Sequence, residues 1–227
     1  MKNTPKNLNY SSLDKINELN YKHQRLLLAW PVYFLLYWLT EKLIPAGRCF
    51  VVHCALDDII PFCELFVIPY ICWYLLIAIS LGYFLFHDVD NFKKLQSYII
   101  ILQAIASLIY IAVPTRQELR PEFFARENVL TKLVAFIYSM DTNTGVCPSL
   151  HCAISIAIAS VWLKKQDASR KVKICVGTLC TLICLSTSFI KQHSVLDFLA
   201  AIALCIIAEF LVFHKLYPNK EGWPLPC

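Results

Sequence analysis

His193 and Asp197 have the types and spacing of a nucleophile and the acid that orients it. The two residues are four apart, which places them on one face of a helix. A carboxylate there can accept a hydrogen bond from one ring nitrogen of the histidine and leave the other nitrogen free to attack. The pair therefore indicates covalent catalysis at His193.

A second polar segment, Cys147-Pro148-Ser149-Leu150-His151, opens an apolar stretch. A proline before the first turn of a helix pre-sets the backbone for that turn. It would direct Ser149 and the free amides of the first turn toward an anion above the helix. The segment thus predicts an anion site beside His151.

The composition predicts that membrane helices hold these residues. The chain of 227 residues is 58% hydrophobic and 16% charged, with a mean hydropathy of +0.55, so it is more apolar than a soluble domain of this size. The net charge of +5 is spread over short segments, and no nucleic-acid partner is predicted. The 11 cysteines stand singly without metal-site spacing, and one pairing among Cys49, Cys54 and Cys147 is left open.

Six apolar stretches are candidates for membrane-spanning helices. They cover residues 26–44, 60–86, 97–113, 150–163, 172–190 and 194–213. The predicted fold is an all-α, polytopic six-helix bundle over 26–214, with a cytoplasmic segment 1–25 and a cytoplasmic tail 215–227. The long outer connection 114–149 has an amphipathic middle and is predicted to carry a short interfacial helix. A connection of this length is more often functional than idle.

The distribution of Lys and Arg sets the predicted orientation. With the N-terminus inside, fourteen of the 21 cationic residues lie on the cytoplasmic side. The seven on the outer side are Lys42, Arg48, Arg116, Arg120, Arg126, Lys132 and Lys191. In this orientation three polar clusters meet at the outer face: Arg120-Pro121, the segment that ends in His151, and the stretch from Lys191 to Asp197.

These clusters resemble the three motifs of the type 2 phosphatidic acid phosphatase superfamily, which are K-x6-R-P, P-S-G-H and S-R-x5-H-x3-D. That superfamily comprises integral membrane lipid phosphatases, shares its catalytic core with vanadium haloperoxidases, and is similar to lipid phosphotransferases such as sphingomyelin and inositol phosphorylceramide synthases. Arg120-Pro121, Pro148-Ser149-Leu150-His151, and Ser186 with His193 and Asp197 keep the motif spacing. The chain departs from the motifs at Val113, Leu150 and Thr187, where lysine, glycine and arginine are usual.

The resemblance implies a role for each matching residue. His193 would attack phosphorus and form a phosphohistidine, and Asp197 would orient its ring. His151 would protonate the leaving alcohol and later activate water. The predicted substrate-binding residues are Arg120, Ser149, Lys191, Arg116 and Ser186. Lys191 and Arg116 each lie about one helical turn from a missing motif cation, and no metal or other cofactor is predicted.

The expected function is hydrolysis of a phosphate ester or anhydride of a lipid at the extracytoplasmic face. Candidate substrates are phosphatidic acid, phosphatidylglycerol phosphate and a polyprenyl diphosphate. Two alternatives stay open: a phosphotransferase that uses an alcohol in place of water, and a non-catalytic membrane protein that binds a phospholipid or a small anion. No obligate protein partner is inferred.

The remaining polar residues are given simpler interpretations. Asp57, Asp58 and Glu64 are expected to cap a helix and to compensate its dipole, with contact to a substrate headgroup as the alternative. His53, His87 and His214 have no partner at a useful spacing, and no role is predicted for them.

Overall fold

The computed structural model describes residues 22–218, and this part of the chain is predominantly helical, as predicted. The predicted segment 1–25 and tail 215–227 lie largely outside it. The described helices are α1 (Ala29–Leu43), α2 (Ala55–Ile59), α3 (Val67–His87), α4 (Val89–Ala112), α5 (Val129–Met140), α6 (Leu150–Lys164), α7 (Arg170–Phe189) and α8 (Val195–Phe210). Short 3-10 helices occupy Lys22–Leu28, Ala46–Arg48 and Glu64–Phe66, and a π-helical turn, Leu211–Leu216, continues α8.

Four helical stretches are long and apolar enough to cross a membrane, which supports the prediction of a membrane protein. They are Glu64–His87, Val89–Ala112, Arg170–Phe189 and Val195–Leu216. The first and fourth predicted stretches instead form α1 and α6, each a helix of 15 residues. The connection 114–149, where an interfacial helix was predicted, contains α5.

Two of the predicted stretches have different helix limits in the structure. The stretch 97–113 belongs to α4, which begins at Val89 because the Asp88 carboxylate accepts the amide of Asn91 at 3.1 Å and caps the helix. Hydropathy omits these first turns because they are polar. The stretch 60–86 belongs to α3, which begins only at Val67, after a 3-10 turn.

The core lies between α4 and α6, with α3, α7 and α8 packed around them. The α4 side chains Ile99 and Leu102 are fully buried, and so are Ala153 and Ala157 of α6. Small residues allow neighbouring helices to approach closely, so packing holds α6 in the centre of the bundle. The first turn of α6 contains His151, and the core therefore fixes where this histidine lies.

The helices run up and down, so the bundle has two ends. At the histidine end, named for His151 and His193, α6 starts beside the start of α8, and the amide of Ser149 donates to the carbonyl of Asp197 at 3.1 Å. At the lysine end, named for Lys164 and Lys165, the connection between α6 and α7 meets the connection between α3 and α4.

A short strand pair, β1 (Phe50–Val51) and β2 (Thr115–Arg116), also lies at the histidine end. The two strands are parallel, and Phe50 pairs with Thr115 while Val51 pairs with Arg116. The pair connects the segment after α1 to the segment after α4. The sequence analysis did not predict it, because two residues are too few to show a periodic pattern.

Candidate active site

The predicted pair of His193 and Asp197 forms, although not on one helix face. Because α8 begins at Val195, His193 precedes the helix, and its Nδ1 lies 3.1 Å from Oδ2 of Asp197. The same Asp197 oxygen accepts the amide of Ser194 at 3.1 Å, so the carboxylate caps the helix and holds the histidine at once. With Nδ1 occupied in this way, Nε2 is the ring nitrogen left to act on a substrate.

The loop before α8 is held tightly by the end of α7. The carbonyl of Thr187 accepts the amides of Gln192 and His193, at 2.9 and 3.1 Å. Lys191 takes a left-handed backbone conformation with φ of 57°, which is uncommon for a residue with a side chain. Together these contacts fix the backbone on which His193 is mounted.

His151 lies close to His193, as predicted. The centroids of the two imidazole rings are 5.7 Å apart. Aromatic rings of α3 hold His151 in place, since Tyr70 stacks on it at 4.6 Å and Trp73 lies at 4.3 Å. Its Nε2 is buried and finds no hydrogen-bond partner within residues 22–218. Buried polar atoms are rarely left unpaired, so this nitrogen is a candidate for a transient partner.

Asp197 also determines the protonation of His193. Burial alone would lower the pKa of His193, but the hydrogen bond and the negative charge of Asp197 outweigh burial and hold the pKa above its ordinary value. The imidazole is consequently a better base than a free histidine, while Asp197 keeps the proton on Nδ1.

His151 and His193 line one cavity of about 560 Å³. Its walls come from α1, α3, α4 and α6, from the segment between α5 and α6 and from the loop before α8, and they include seven Phe, Tyr and Trp side chains. Lining residues on α1 and α3 include Trp30, Tyr33, Phe34, Tyr37, Trp73 and Tyr74. Among the described residues that line the cavity, Asp141 is the one Asp, Glu, Lys or Arg residue. The volume and the apolar walls suit an amphiphilic ligand.

The predicted phosphate-binding cation Arg120 is not among these lining residues. Its guanidinium donates to the carbonyls of Tyr138 (3.1 Å), Asp141 (2.7 Å) and Thr142 (2.9 Å), and to Oε1 of Gln192 (2.6 Å). As placed here, Arg120 fastens the end of α5 to the loop that bears His193.

Lys191 and Arg116 also lie outside the cavity. The Lys191 ammonium donates to the carbonyls of Asp57 and Ile60, at 2.6 and 2.5 Å. Arg116 lies on β2 and pairs with Glu118 at 2.8 Å. The predicted helical equivalence of these two cations to the missing motif residues is wrong, because α4 ends at Ala112 and α7 ends at Phe189, before either position.

Ser149 and Ser186 form hydrogen bonds with the backbone of the helices beside the site. Ser149 caps α6 by accepting the amide of Cys152 at 3.4 Å, and its own amide donates to Asp197. The Ser186 hydroxyl donates to the carbonyl of Ile183, one turn back in α7, at 2.6 Å. Both side chains are fully buried. Neither hydroxyl is a lining group of the cavity, so both serve the backbone in this structure.

Sequence reasoning missed the polar residues that adjoin the histidines in the cavity. The carboxylate of Asp141 accepts hydrogen bonds from the hydroxyls of Tyr37 and Tyr70 and from Nε2 of Gln192, each at 3.2 Å. Asp141 begins the sequence Asp-Thr-Asn-Thr-Gly, which is typical of a turn. The sequence analysis therefore gave Asp141 no functional role. Gln192 adjoins His193 in the sequence, and that proximity was the available clue.

Of the three acidic residues expected to cap a helix, Asp57 does so, whereas Asp58 pairs with His53 and Glu64 accepts a hydrogen bond from Asn128. Asp57 accepts the amide of Val195 at 2.8 Å and the hydroxyl of Ser194 at 2.6 Å, so it caps α8 from a distant part of the chain. Burial would raise the pKa of Asp57, but these hydrogen bonds outweigh burial and lower it. The prediction that His53 lacks a partner is wrong, since its Nε2 lies 2.8 Å from Oδ1 of Asp58.

Within residues 22–218 the cysteines are unpaired, and the residue types that bind metals do not cluster. Cys49, Cys54 and Cys147, for which one pairing was left open, are free thiols. Within that range no group of three or more His, Cys, Asp or Glu side chains is arranged to hold a metal ion.

Comparison with known proteins gives this chain no relative: protein-family models, curated proteins and solved structures were each searched, and none matched. The geometry of the site is therefore the basis for assigning a function.

Proposed function

We propose that this protein is an integral membrane phosphohydrolase that cleaves a phosphate ester or anhydride of a lipid through a phosphohistidine at His193. The observation that carries the proposal is the arrangement of two imidazoles and one carboxylate at one cavity. Nδ1 of His193 is bound to Asp197, and the ring of His151 lies 5.7 Å away with an unpartnered Nε2. Passive binding of an anion requires neither an oriented nucleophile nor a second imidazole.

The reaction has two steps. Nε2 of His193 attacks phosphorus, the bond from phosphorus to the leaving oxygen breaks, and His151 gives that oxygen a proton. Water then attacks phosphorus, the bond from phosphorus to Nε2 of His193 breaks, and His151 takes a proton from the water, which restores both histidines. Negative charge that develops on the phosphoryl oxygens would meet the first amides of α6, which have no acceptor within their own helix.

The membrane arrangement belongs to the same proposal. The helices α1, α3, α4, α6, α7 and α8 form a six-helix transmembrane bundle, and α5 lies at the interface. Lys93, Lys94, Lys164, Lys165, Arg170, Lys171 and Lys173 lie at the lysine end, which is accordingly assigned to the cytoplasm together with both termini. The histidine end then faces the outer leaflet, where a lipid headgroup can reach His193.

A second candidate function, transfer to an alcohol in place of water, is favoured by the cavity itself. Its volume of about 560 Å³ and its aromatic walls leave room for an amphiphilic alcohol beside the substrate. Hydrolysis and transfer share the phosphohistidine and differ in the molecule that attacks it.

The test is turnover by the full-length protein purified in a neutral detergent. A panel of lipid monophosphates, diphosphates and phosphodiesters is offered with and without an alcohol acceptor, and both phosphate release and transfer products are scored. His193→Ala is expected to abolish turnover and the acid-labile phosphoprotein, and vanadate is expected to inhibit the wild type. His87→Ala, an exposed histidine at the lysine end, is the matched control and should retain full activity. Unchanged turnover in His193→Ala would remove the nucleophile assignment.

A further inference from the structure

The charge of the cavity does not suit an isolated phosphate group. Asp141 contributes a carboxylate, and its three hydrogen-bond donors, Tyr37, Tyr70 and Gln192, are all neutral. Arg120 donates to the backbone carbonyl of Asp141 at 2.7 Å and has no bond to the carboxylate. A ligand with negative charge alone would meet repulsion from Asp141 at short range in a site of low polarity.

The carboxylate retains room for a ligand. An ionised carboxyl group accepts about four hydrogen bonds, and that of Asp141 receives two at Oδ2 but one at Oδ1, from Tyr37. A second acid lies nearby: Glu41 accepts a hydrogen bond from the hydroxyl of Thr142, which lines the cavity. This side of the cavity therefore attracts cations.

Aromatic rings surround the same side. Trp30, Tyr33, Phe34 and Tyr37 occupy positions i, i+3, i+4 and i+7 of α1, so they form one stripe, and this stripe lines the cavity. Aromatic rings attract a cation placed over their faces, and recognition of quaternary ammonium groups is the best-known use of such rings. An aromatic wall beside a carboxylate whose described donors are all neutral is chemically suited to an organic ammonium group.

We propose that Asp141 and the aromatic stripe of α1 form a subsite for the ammonium group of a zwitterionic phospholipid headgroup. The inference rests on the proposed function, since it places the phosphorus of the same headgroup at His193. Gln192 connects the two positions: it adjoins His193 in the chain, and its Nε2 donates to Asp141 at 3.2 Å. A zwitterion brings its own positive charge, which explains how a phosphate can enter a cavity whose described lining holds no lysine or arginine.

The test measures binding separately from turnover. The His193→Ala protein in maltoside micelles is titrated with short-chain phosphatidylcholine, phosphatidylglycerol and phosphatidic acid of equal chain length, and quenching of tryptophan fluorescence is followed. Phosphatidylcholine is expected to bind about tenfold more tightly than phosphatidylglycerol, which has the same diester but no ammonium group. Phosphatidic acid should bind least tightly. Equal affinity for the choline and glycerol lipids would overturn the subsite.

Two variants in the same background locate the preference. Asp141→Asn should weaken phosphatidylcholine binding about tenfold, and it should strengthen phosphatidylglycerol binding because the repulsion from the carboxylate is removed. Asp58→Asn, which alters an exposed carboxylate outside the cavity, is the matched control. If Asp141→Asn does not fold, Tyr33→Leu removes one ring of the stripe and should reduce the preference as well. A preference that survives in every folded cavity variant would refute the assignment.

The subsite and the proposed function can fail independently. Lack of turnover by the wild type on every lipid would reject the enzyme and leave the binding measurement intact. Turnover that depends on His193, combined with equal binding of choline and glycerol lipids, would reject the subsite alone.

Discussion

The two ends of the bundle treat buried polar groups in opposite ways. At the lysine end Lys165, of which 7% is exposed, binds Asp88 at 2.6 Å and Asp167 at 2.8 Å, and Lys164 pairs with Glu209. At the histidine end Nε2 of His151 and Oδ1 of Asp197 are buried without partners in the described chain. An unpaired buried polar atom costs about 1–3 kcal/mol. The lysine end therefore pairs its buried charges, whereas the histidine end keeps buried polar atoms unpaired at a cost in stability.

The sharpest test of this comparison is Asp197→Asn, which should lower kcat/KM by about 10²- to 10⁴-fold. The amide keeps the shape of the side chain but removes the charge that orients His193. The pH profile should move as well. We expect activity of the wild type to fall as the pH drops through the raised pKa of His193, because the protonated ring cannot attack. Without the carboxylate that pKa decreases, so the acid limb of the profile shifts to lower pH.

The measurement for Asp197→Asn is kcat/KM against pH on whichever lipid the wild type turns over. Asp58→Asn serves as the control, because Asp58 is exposed and is not among the residues that line the cavity. An acid limb that stays in place in Asp197→Asn would show that Asp197 does not set the protonation of His193.

Lys165→Met should have the opposite effect to Asp197→Asn: it should lower the stability of the protein and leave kcat/KM nearly unchanged. The substitution leaves Asp88 without its cationic partner, and breaking a partly buried ion pair at this depth should cost about 2 kcal/mol. The midpoint of thermal unfolding in detergent should fall, while kcat/KM measured below that midpoint stays within about twofold of the wild type. A large fall in kcat/KM with an unchanged midpoint would contradict the division of roles between the two ends.

The contact between His193 and Asp197 could be predicted from the sequence because its geometry is local. His193 and Asp197 are four residues apart, and either a helix or a capped turn brings them together. The apolar helices were equally accessible, since hydropathy over about 20 residues depends on composition alone. The starts of α3 and α4 were not, because capping by Asp88 and the 3-10 turn before Val67 lie outside the hydropathy signal.

The partners of the cations could not be predicted, because they come from distant parts of the chain. Lys191 donates to carbonyls at positions 57 and 60, and Arg120 reaches carbonyls at positions 138, 141 and 142. Backbone carbonyls carry no mark in the sequence of what will bind them. The sequence analysis therefore predicted that Arg120 and Lys191 bind phosphate, because both lie near a motif. In the folded chain both side chains donate to backbone carbonyls instead.

Arg120→Lys tests that last distinction and should have a smaller effect on stability than Lys165→Met. A guanidinium donates in a planar fork, whereas a lysine ammonium offers a single point of charge that cannot reach four separated oxygens. Loss of this fastening should lower stability by about 1 kcal/mol and reduce kcat/KM by about tenfold, since the loop that bears His193 is loosened. The loss of stability should be recovered in part by substrate, which binds the folded state.

Arg126→Lys is the control for Arg120→Lys, because Arg126 is an exposed arginine in the same connection and should tolerate the change. Unfolding midpoints and steady-state kinetics of the two variants separate the possible roles of Arg120. If Arg120 holds the end of α5 to the loop that bears His193, the unfolding midpoint and kcat/KM should fall together. If it contacts the phosphoryl group, kcat/KM falls by far more than tenfold while the midpoint stays at the wild-type value. In that event the guanidinium would have to leave the carbonyls of α5 during catalysis, and the histidine end would be more mobile than its hydrogen bonds indicate.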